Sequence, residues 1–116
     1  MKSILLIDDE VELADLMADE LREAGYNCFT SYSVEEGIKR INDNESYHVV
    51  ITDYKMAFGG AESIINSCKK NSSDSKIIVA TGNLDLEEKS VKEVGADYLF
   101  VKPVDYDKLL KVLETL

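Results

Sequence analysis

The sequence predicts an α/β fold: a doubly wound (βα)5 three-layer sandwich around a five-stranded parallel sheet. Short runs that are almost wholly apolar and rich in β-branched residues recur along the chain, which is typical of strands covered on both faces. Amphipathic helical patterns lie between these runs, and such alternation gives parallel strands joined by right-handed crossovers. Because the chain has 116 residues, we expect a single domain over residues 1–116.

Three runs predict the core strands, and two weaker runs predict the others. The core candidates are SILLI (3–7), HVVIT (48–52) and KIIVAT (76–81). The weaker candidates are CFTSY (28–32), whose polar residues suit a sheet edge, and DYLFV (97–101). If the strand order is 2-1-3-4-5, the first and third strands flank the switch point, where ligands bind beyond the carboxyl ends of the strands.

The helices are predicted from apolar spacing and from the residues that cap or end them. The first covers Val11–Ala24, the second follows a capping-box spacing, and the third is marked by Ile64, Ile65 and Cys68. The fourth is a weaker pattern over Leu84–Val94, and the last follows residue 105. The capping or ending residues are Gly25, Ser33, Gly95 and Asp105. The apolar residues that recur in the first helix are Leu13, Leu16, Met17, Leu21 and Ala24.

The composition excludes several classes of function. With 23 acidic against 13 basic residues the formal net charge is −10, which repels nucleic acid and anionic lipid, so we expect this domain to bind neither. The apolar runs are far too short to span a membrane, and no export segment opens the sequence. We therefore expect a cytoplasmic protein in which Cys28 and Cys68 are reduced packing residues.

Polar residues follow the predicted core strands at the ends that meet at one edge of the sheet. These residues are Asp8, Asp9, Glu10, Asp53, Thr81 and Lys102. Crowded carboxylates need a compensating cation, and Lys102 supplies only one positive charge, so an all-oxygen site of this kind favours Mg²⁺. A carboxylate nucleophile beside a metal, an ammonium and a hydroxyl suits an incoming phosphoryl group, with an acyl phosphate as the product. Glu10 itself is more simply explained as an acid at a helix N-terminus.

In this order and spacing the motifs resemble those of a known family. "DDE" (8–10), Asp53, Thr81-Gly82 and Lys102-Pro103 are similar to the motifs of the receiver domain of two-component response regulators, with its CheY-like fold. Each motif is weak by itself, whereas all four at strand ends are specific. The resemblance covers essentially the whole chain. It implies a signalling switch, not an enzyme that turns over an external metabolite.

The resemblance implies a role for each matching residue. Asp53 would accept a phosphoryl group from the phosphohistidine of a sensor histidine kinase or a histidine phosphotransfer protein. Asp8, Asp9 and Asp53 would hold Mg²⁺, or Mn²⁺ as a substitute, with the backbone carbonyl of Lys55 as a further ligand. The phosphorylated domain would then act on a downstream protein target, or on an output domain if the chain is part of a longer protein.

The remaining motifs would act on the transferred group. Lys102 would pair with the phosphoryl oxygens, and the Thr81 hydroxyl would hydrogen-bond one of them. In the family the bond between the lysine and the following proline, here Pro103, is usually cis.

Two segments depart from the pattern of the family. Ala57 stands where receivers commonly have proline, which predicts a more mobile loop. Gly59 and Gly60 come early relative to the usual glycine, which indicates a rebuilt turn or a one-residue deletion. Leu99 stands where receivers usually carry an aromatic switch residue. Since strand residues alternate, the neighbouring aromatic residues Tyr98 and Phe100 should face the opposite side of the sheet.

Two other functions are kept as alternatives. A receiver-like interaction module that works without phosphorylation would account for Ala57 and Leu99, but it gives no reason for the complete acidic, hydroxyl and lysine set. A phosphatase of the Asp-x-Asp type would need a second acid two residues after the nucleophile, where this sequence has Lys55. His48, a lone histidine at a strand start, is not expected to be catalytic.

Overall fold

The computed structural model describes residues 2–43, 47–56, 59–71, 74–82, 92 and 95–116. The departure at Ala57 lies outside these residues, and so does the predicted fourth helix over Leu84–Val94, apart from residue 92. Among the described residues, no helix is both long and apolar enough to cross a membrane.

Seven strands are present in the described part of the chain, and five of them form one parallel sheet. The strands are β1 (Ser3–Ile7), β2 (Asn27–Ser31), β3 (Val49–Asp53), β4 (Lys55–Met56), β5 (Gly59–Gly60), β6 (Lys76–Thr81) and β7 (Tyr98–Val101). The five-stranded sheet has the order β2-β1-β3-β6-β7, which is the predicted 2-1-3-4-5 order of a doubly wound fold.

The strand bounds agree with the sequence predictions to within one residue. β1 and β6 match them, β2 lies one residue earlier, and β7 begins one residue later. β3 runs one residue further than predicted, so Asp53 is the last residue of the strand instead of the first residue after it. The backbone of the strand therefore holds the position of this carboxylate directly.

Four helices cover the two faces of the sheet within the described ranges. They are α1 (Val11–Glu23), α2 (Val34–Asn42), α3 (Ala61–Asn71) and α4 (Tyr106–Thr115). One core cluster joins α1 and α4 to the sheet, and the other joins α2 and α3 to its opposite face. This arrangement gives the three layers that the alternating pattern predicts.

The helix ends agree with the capping residues in the sequence. The Ser33 hydroxyl accepts a hydrogen bond from the Glu36 N–H at 3.1 Å, and an Asp105 carboxylate oxygen accepts one from the Lys108 N–H at 3.3 Å. Gly25 has φ +99°, a conformation that side-chain-bearing residues rarely adopt, and it follows directly after the C-cap of α1.

The apolar face predicted for α1 is partly wrong. Met17 and Leu21 are buried, but Leu13 and Leu16 are 44% and 52% exposed. Ala24 is exposed as well. The buried face of the helix consists of Ala14, Met17, Ala18 and Leu21. The predicted residues and the buried residues both recur at steps of three and four along the helix. The face that contains Ala14 and Ala18 packs on the sheet, because small side chains let the helix approach it closely.

A short hairpin follows the end of β3. β4 and β5 pair in antiparallel fashion, Lys55 with Gly60 and Met56 with Gly59. Met56 is buried in the core beneath α2 and α3, and a Cβ on Gly60 would collide with the Tyr54 carbonyl oxygen. Gly60 therefore allows a close approach between its own backbone and that of Tyr54.

Both cysteines are packing residues, as predicted. Cys28 and Cys68 are buried and do not form a disulfide. Burial raises the pKa of each thiol to about 11, although the positive charge of Arg22 lowers that of Cys28 slightly. Neither thiol is activated as a nucleophile.

Candidate functional site

The carboxyl ends of β1 and β3 bring Asp8 and Asp53 side by side. The two strands are neighbours in the sheet, and Ile7 of β1 is paired with Thr52 of β3. Asp8 follows Ile7 and Asp53 follows Thr52, so the two acids are adjacent at this edge of the sheet. Their side chains are only 7% and 11% exposed. Two carboxylates in such a confined place repel each other unless a cation lies between them.

Lys102 supplies that cation from the loop that follows β7. Its Nζ lies 2.7 Å from Asp8 Oδ2 and 3.3 Å from Asp53 Oδ2, and its side chain is 15% exposed. The Lys102 N–H donates to the Thr81 carbonyl at 2.7 Å, which ties the backbone at this point to the end of β6. The bond between Lys102 and Pro103 is cis, as the resemblance implies.

Backbone donors fix the other oxygens of the two carboxylates. Asp53 Oδ1 accepts a hydrogen bond from the Tyr54 N–H at 2.8 Å, and Asp8 Oδ1 accepts one from the Glu10 N–H at 2.9 Å. Each acid thus has one oxygen on the backbone and one oxygen on the ammonium of Lys102. The Oδ2 atoms of Asp8 and Asp53 therefore both face the Lys102 ammonium, at a common point in the centre of the site.

The charges around that point do not balance. Oxygen atoms of Asp8, Glu10 and Asp53 lie within 4.8 Å of one another, and within the described ranges the one ammonium shown in ion-pair distance of all three is that of Lys102. Burial raises the pKa of the Asp53 carboxyl; Lys102 counteracts this shift, and the charge of Asp8 adds to it. Burial alone would lower the pKa of Lys102, but its hydrogen bond to Asp8 and the charges of both aspartates raise it overall. The donor set is all oxygen and excessively negative, which fits a hard divalent cation.

The structure gathers a different third acid from the one that the sequence suggested. Asp9 is exposed and is not among the three gathered carboxylates, whereas Glu10 is. Asp9 lies at a bend between these two acids, and the Glu10 N–H donates to Asp8 Oδ1, which holds the backbone of Glu10 next to the Asp8 carboxylate. Glu10 is also the N-cap residue of α1, in agreement with its predicted place at a helix N-terminus.

Thr81 and Lys55 lie on elements next to Asp53. Asp53 pairs with Ala80 of β6, so Thr81 is one residue further toward the site, and it is 3% exposed. The backbone of Lys55 begins β4, two residues after Asp53. Both residues are thus placed by strands that start or end at the same edge of the sheet.

A cavity of about 510 Å³ borders the site on the side of α1. Asp8, Glu10 and Lys102 line one part of it. The rest is mainly apolar and is lined by residues of α1 and of the segment after Lys102, among them Leu13, Leu16, Met17, Val104 and Tyr106. The polar site therefore opens beside an apolar surface.

The sequence of this chain matches the model of a known protein family. The model of the response regulator receiver domain matches residues 4–114. The chain belongs to this family. Receiver domains are signalling domains of two-component systems, and the fold, the acidic residues and the cis bond after Lys102 described above agree with this assignment.

Named relatives of this receiver domain include transcriptional and chemotaxis proteins. The acid tolerance regulatory protein ActR of Rhizobium meliloti (strain 1021) is 31% identical over 114 residues, covering 97% of this chain and 58% of ActR. The probable chemotaxis protein CheY of Rhizobium etli is 25% identical over 115 residues, covering 96% of this chain and 88% of that protein. The chain thus spans less than two thirds of ActR.

Solved receiver structures have the same fold. The response regulator protein TrrA of Thermotoga maritima, in complex with Mg(2+)-BeF, has a TM-score of 0.87 and 30% identity, covering 99% of this chain and 98% of its own. A CheY-like receiver domain protein from Methanospirillum hungatei JF-1 has a TM-score of 0.89 and 28% identity, covering 99% and 92%.

The aromatic residues of β7 lie as the alternation predicts. Leu99 packs against the core beneath α2 and α3, whereas Tyr98 and Phe100 pack against the opposite core with α1 and α4. In this receiver domain, the residue at the position of the usual aromatic switch is therefore a partly buried leucine.

Proposed function

We propose that this receiver domain is the phosphoacceptor of a two-component or phosphorelay system. Asp53 would take a phosphoryl group from the phosphohistidine of a sensor histidine kinase or a histidine phosphotransfer protein. The observation that carries the proposal is the position of Lys102 between Asp8 and Asp53, at 2.7 Å and 3.3 Å. A fixed ammonium beside a carboxylate nucleophile is the arrangement that an arriving phosphoryl group requires.

In the proposed transfer, an Asp53 carboxylate oxygen forms the new O–P bond while the P–N bond to the donor histidine breaks. The electron pair of the broken bond stays on the imidazole nitrogen. Lys102 then pairs with the phosphoryl oxygens, and the Thr81 hydroxyl donates a hydrogen bond to one of them. The product is a mixed anhydride, and attack by water returns Asp53 to its free form, so the domain is a switch that assists its own phosphorylation and dephosphorylation.

The residues fit a divalent cation, Mg²⁺ or Mn²⁺ as its substitute. Asp8, Asp9 and Asp53 would hold it together with the backbone carbonyl of Lys55. When bound, the cation would neutralise negative charge on the phosphoryl group and its acceptor. The excess of carboxylates over ammonium groups supports this proposal. Asp9 stays a prediction as a ligand, and its exposed side chain has the rotamer freedom to turn toward the site.

Exposed apolar side chains beside the site favour a protein as phosphodonor. Leu13 and Leu16 of α1 are 44% and 52% exposed and line the cavity that opens next to Asp8. Contiguous apolar surface at a polar site indicates a surface for protein contact. A small phosphodonor would need only the polar part of the site. We therefore propose that a partner covers these leucines while its phosphohistidine reaches Asp53.

The output would be a change of protein contacts. Phosphorylation would shift the population between two conformations of the loops at the carboxyl edge. The target would be a separate protein, or an output domain in a longer polypeptide, and no nucleic acid or membrane contact is proposed for this domain. We further propose that it works in the cytoplasm with its kinase.

One observation favours a second candidate function. Leu99, partly buried against the core, stands at the position of the usual aromatic switch residue, which would suit a receiver-like module that binds its partner without being phosphorylated. Such a module would not need a metal or a reactive Asp53.

An NMR titration separates the two functions. Beryllofluoride, a mimic of the phosphoryl group, is added with Mg²⁺ to the ¹⁵N-labelled protein and to the Asp53→Asn variant. The phosphoacceptor function predicts amide shifts around residues 53, 81 and 102 in the wild type that the variant lacks. If the wild type shows no shifts at millimolar Mg²⁺, the proposal is wrong and the phosphorylation-independent module stands.

A further inference from the structure

Glu10 has a side chain that the helix does not use. It is the N-cap residue of α1, but its carboxylate makes no capping hydrogen bond. Glutamate is also not one of the residues that N-cap positions prefer. Its Oε1 lies 3.7 Å from the Nζ of Lys102 instead. Among the described residues, the Glu10 carboxylate therefore forms an ion pair with the lysine of the site.

Lys102 has three acidic neighbours, and they are not equivalent. Its Nζ is nearest to Asp8, then to Asp53, and farthest from Glu10, at 2.7, 3.3 and 3.7 Å. The first two contacts use the Oδ2 atoms that point to the centre of the site. A divalent cation at Asp8 and Asp53 would compete for those same oxygens and would repel the ammonium.

The ammonium then needs another anion. Within the part of the chain that the structure describes, Glu10 is the remaining carboxylate in ion-pair distance of Lys102. Its side chain is 58% exposed, against 7% for Asp8 and 11% for Asp53, so it has room to follow the lysine outward. It also lies at the mouth of the site, since it lines the adjoining cavity.

We infer that Glu10 is a positioning residue for Lys102: it holds the ammonium when a divalent cation occupies the two aspartates. By doing so it raises the affinity of the site for the cation and keeps Lys102 next to Asp53, ready for the phosphoryl oxygens. The inference rests on the proposed function, because it assumes that Asp8 and Asp53 bind a divalent cation. Glu10, the third acid of "DDE", would thus support metal binding through Lys102 and not as a metal ligand.

A double-mutant cycle tests this role against a general charge effect. The Mg²⁺ affinity is measured by NMR titration for the wild type, Glu10→Gln, Lys102→Met and the double variant. We expect Glu10→Gln to weaken Mg²⁺ binding about twofold to fivefold, the range for a partly exposed ion pair. In the Lys102→Met background the same change should have no effect, because the group that Glu10 positions is gone.

Two further variants sharpen the cycle. Lys102→Arg keeps the cation, so Glu10→Gln should still weaken Mg²⁺ binding in that background. Glu12→Gln removes a neighbouring exposed acid in the first turn of α1 and should leave the affinity unchanged. Lys102→Arg thus keeps the positive charge at position 102, and Glu12→Gln removes the same charge as Glu10→Gln from a neighbouring position of α1.

The outcomes are distinct. Equal weakening by Glu10→Gln with and without Lys102 would mean that Glu10 acts only as a negative charge, and no weakening in the wild-type background would mean that it has no part in the site; either result overturns the inference alone. A wild-type protein that binds no Mg²⁺ overturns the inference together with the metal site of the proposed function.

Discussion

The Nζ of Lys102 lies 2.7 Å from Oδ2 of Asp8, which makes the residue after β1 the nearest anion to the lysine of the site. The lysine that would pair with a phosphoryl group on Asp53 is thus held by an acid that would also bind the metal. Cation binding at Asp8 would therefore release the lysine from its nearest described carboxylate.

Asp8→Asn should weaken the stabilisation of the fold by Mg²⁺. A ligand that binds only the folded state adds about 2.7 kcal/mol to the free energy of unfolding at a hundredfold excess over its Kd. Losing one charged ligand raises the Kd, so the increase in Tm on adding Mg²⁺ should be smaller in Asp8→Asn than in the wild type. Thermal melts with and without Mg²⁺ measure this. Asp19→Asn, an exposed acid of α1, is the control and should keep the full increase.

Asp53→Asn should stabilise the folded protein at neutral pH. Burial raises the pKa of this carboxyl, and the charge of Asp8 adds to the shift while Lys102 opposes it. A raised pKa in the folded state means that ionisation of Asp53 lowers the free energy of unfolding. The favourable contribution of the protonated form is complete below the ordinary pKa of 3.8 and is lost as the pH rises through the folded-state value.

Denaturant unfolding as a function of pH measures that effect. At pH 7, Asp53→Asn should raise the free energy of unfolding by more than the roughly 0.5 kcal/mol typical of surface substitutions. The gain should shrink as the pH falls toward the ordinary pKa of the carboxyl. Asp43→Asn at the exposed C-cap of α2 serves as the control. A gain that stays constant with pH would show that charge is not its cause.

Gly60→Ala should disturb the hairpin that follows Asp53. The added Cβ would collide with the Tyr54 carbonyl oxygen, and backbone atoms cannot move aside as a flexible side chain can. We expect a loss of about 1–3 kcal/mol in the free energy of unfolding, as for other overpacked sites. Gly82→Ala is the matched control, because its Cβ would meet nothing within 4 Å. Equal effects of the two substitutions in urea unfolding would refute the close approach.

Leu16→Gln should impair phosphotransfer from a protein donor but not from a small-molecule donor. The side chain is 52% exposed, so its loss should change stability by less than about 0.5 kcal/mol. Phosphotransfer from a histidine kinase or phosphotransfer protein should slow, while labelling by acetyl phosphate should be unchanged. Ala24→Gln, at the exposed far end of α1, should affect neither. If Leu16→Gln slows both donors equally, the leucine acts on the site and not on a partner.

Strands and helix ends were predictable because local chemistry determines them. The β-branched runs of β1 and β6 match their predicted bounds. The Ser33 hydroxyl caps α2 by accepting a hydrogen bond from the Glu36 N–H, at the spacing that the sequence indicates. Asp8, Asp53 and Lys102 were predictable because parallel strands bring their carboxyl ends to one edge.

Other features depend on packing that periodicity does not resolve. The sequence pattern of α1 fits two helix faces, and only contact with the sheet selects Ala14 and Ala18 over Leu13 and Leu16. The position of Glu10 beside Lys102 involves a bend of the backbone at Asp9, which the spacing of the acids in "DDE" does not predict.

The most direct measurement is covalent labelling of Asp53. The protein is incubated with acetyl phosphate and Mg²⁺, and intact mass spectrometry is followed by peptide mapping and by treatment with hydroxylamine, which cleaves acyl phosphates. We predict one added phosphoryl group on the peptide that contains Asp53, dependent on Mg²⁺, removed by hydroxylamine and absent from Asp53→Asn. An unmodified wild-type protein, or equal labelling of the variant, would contradict the assignment of Asp53 as the phosphoacceptor.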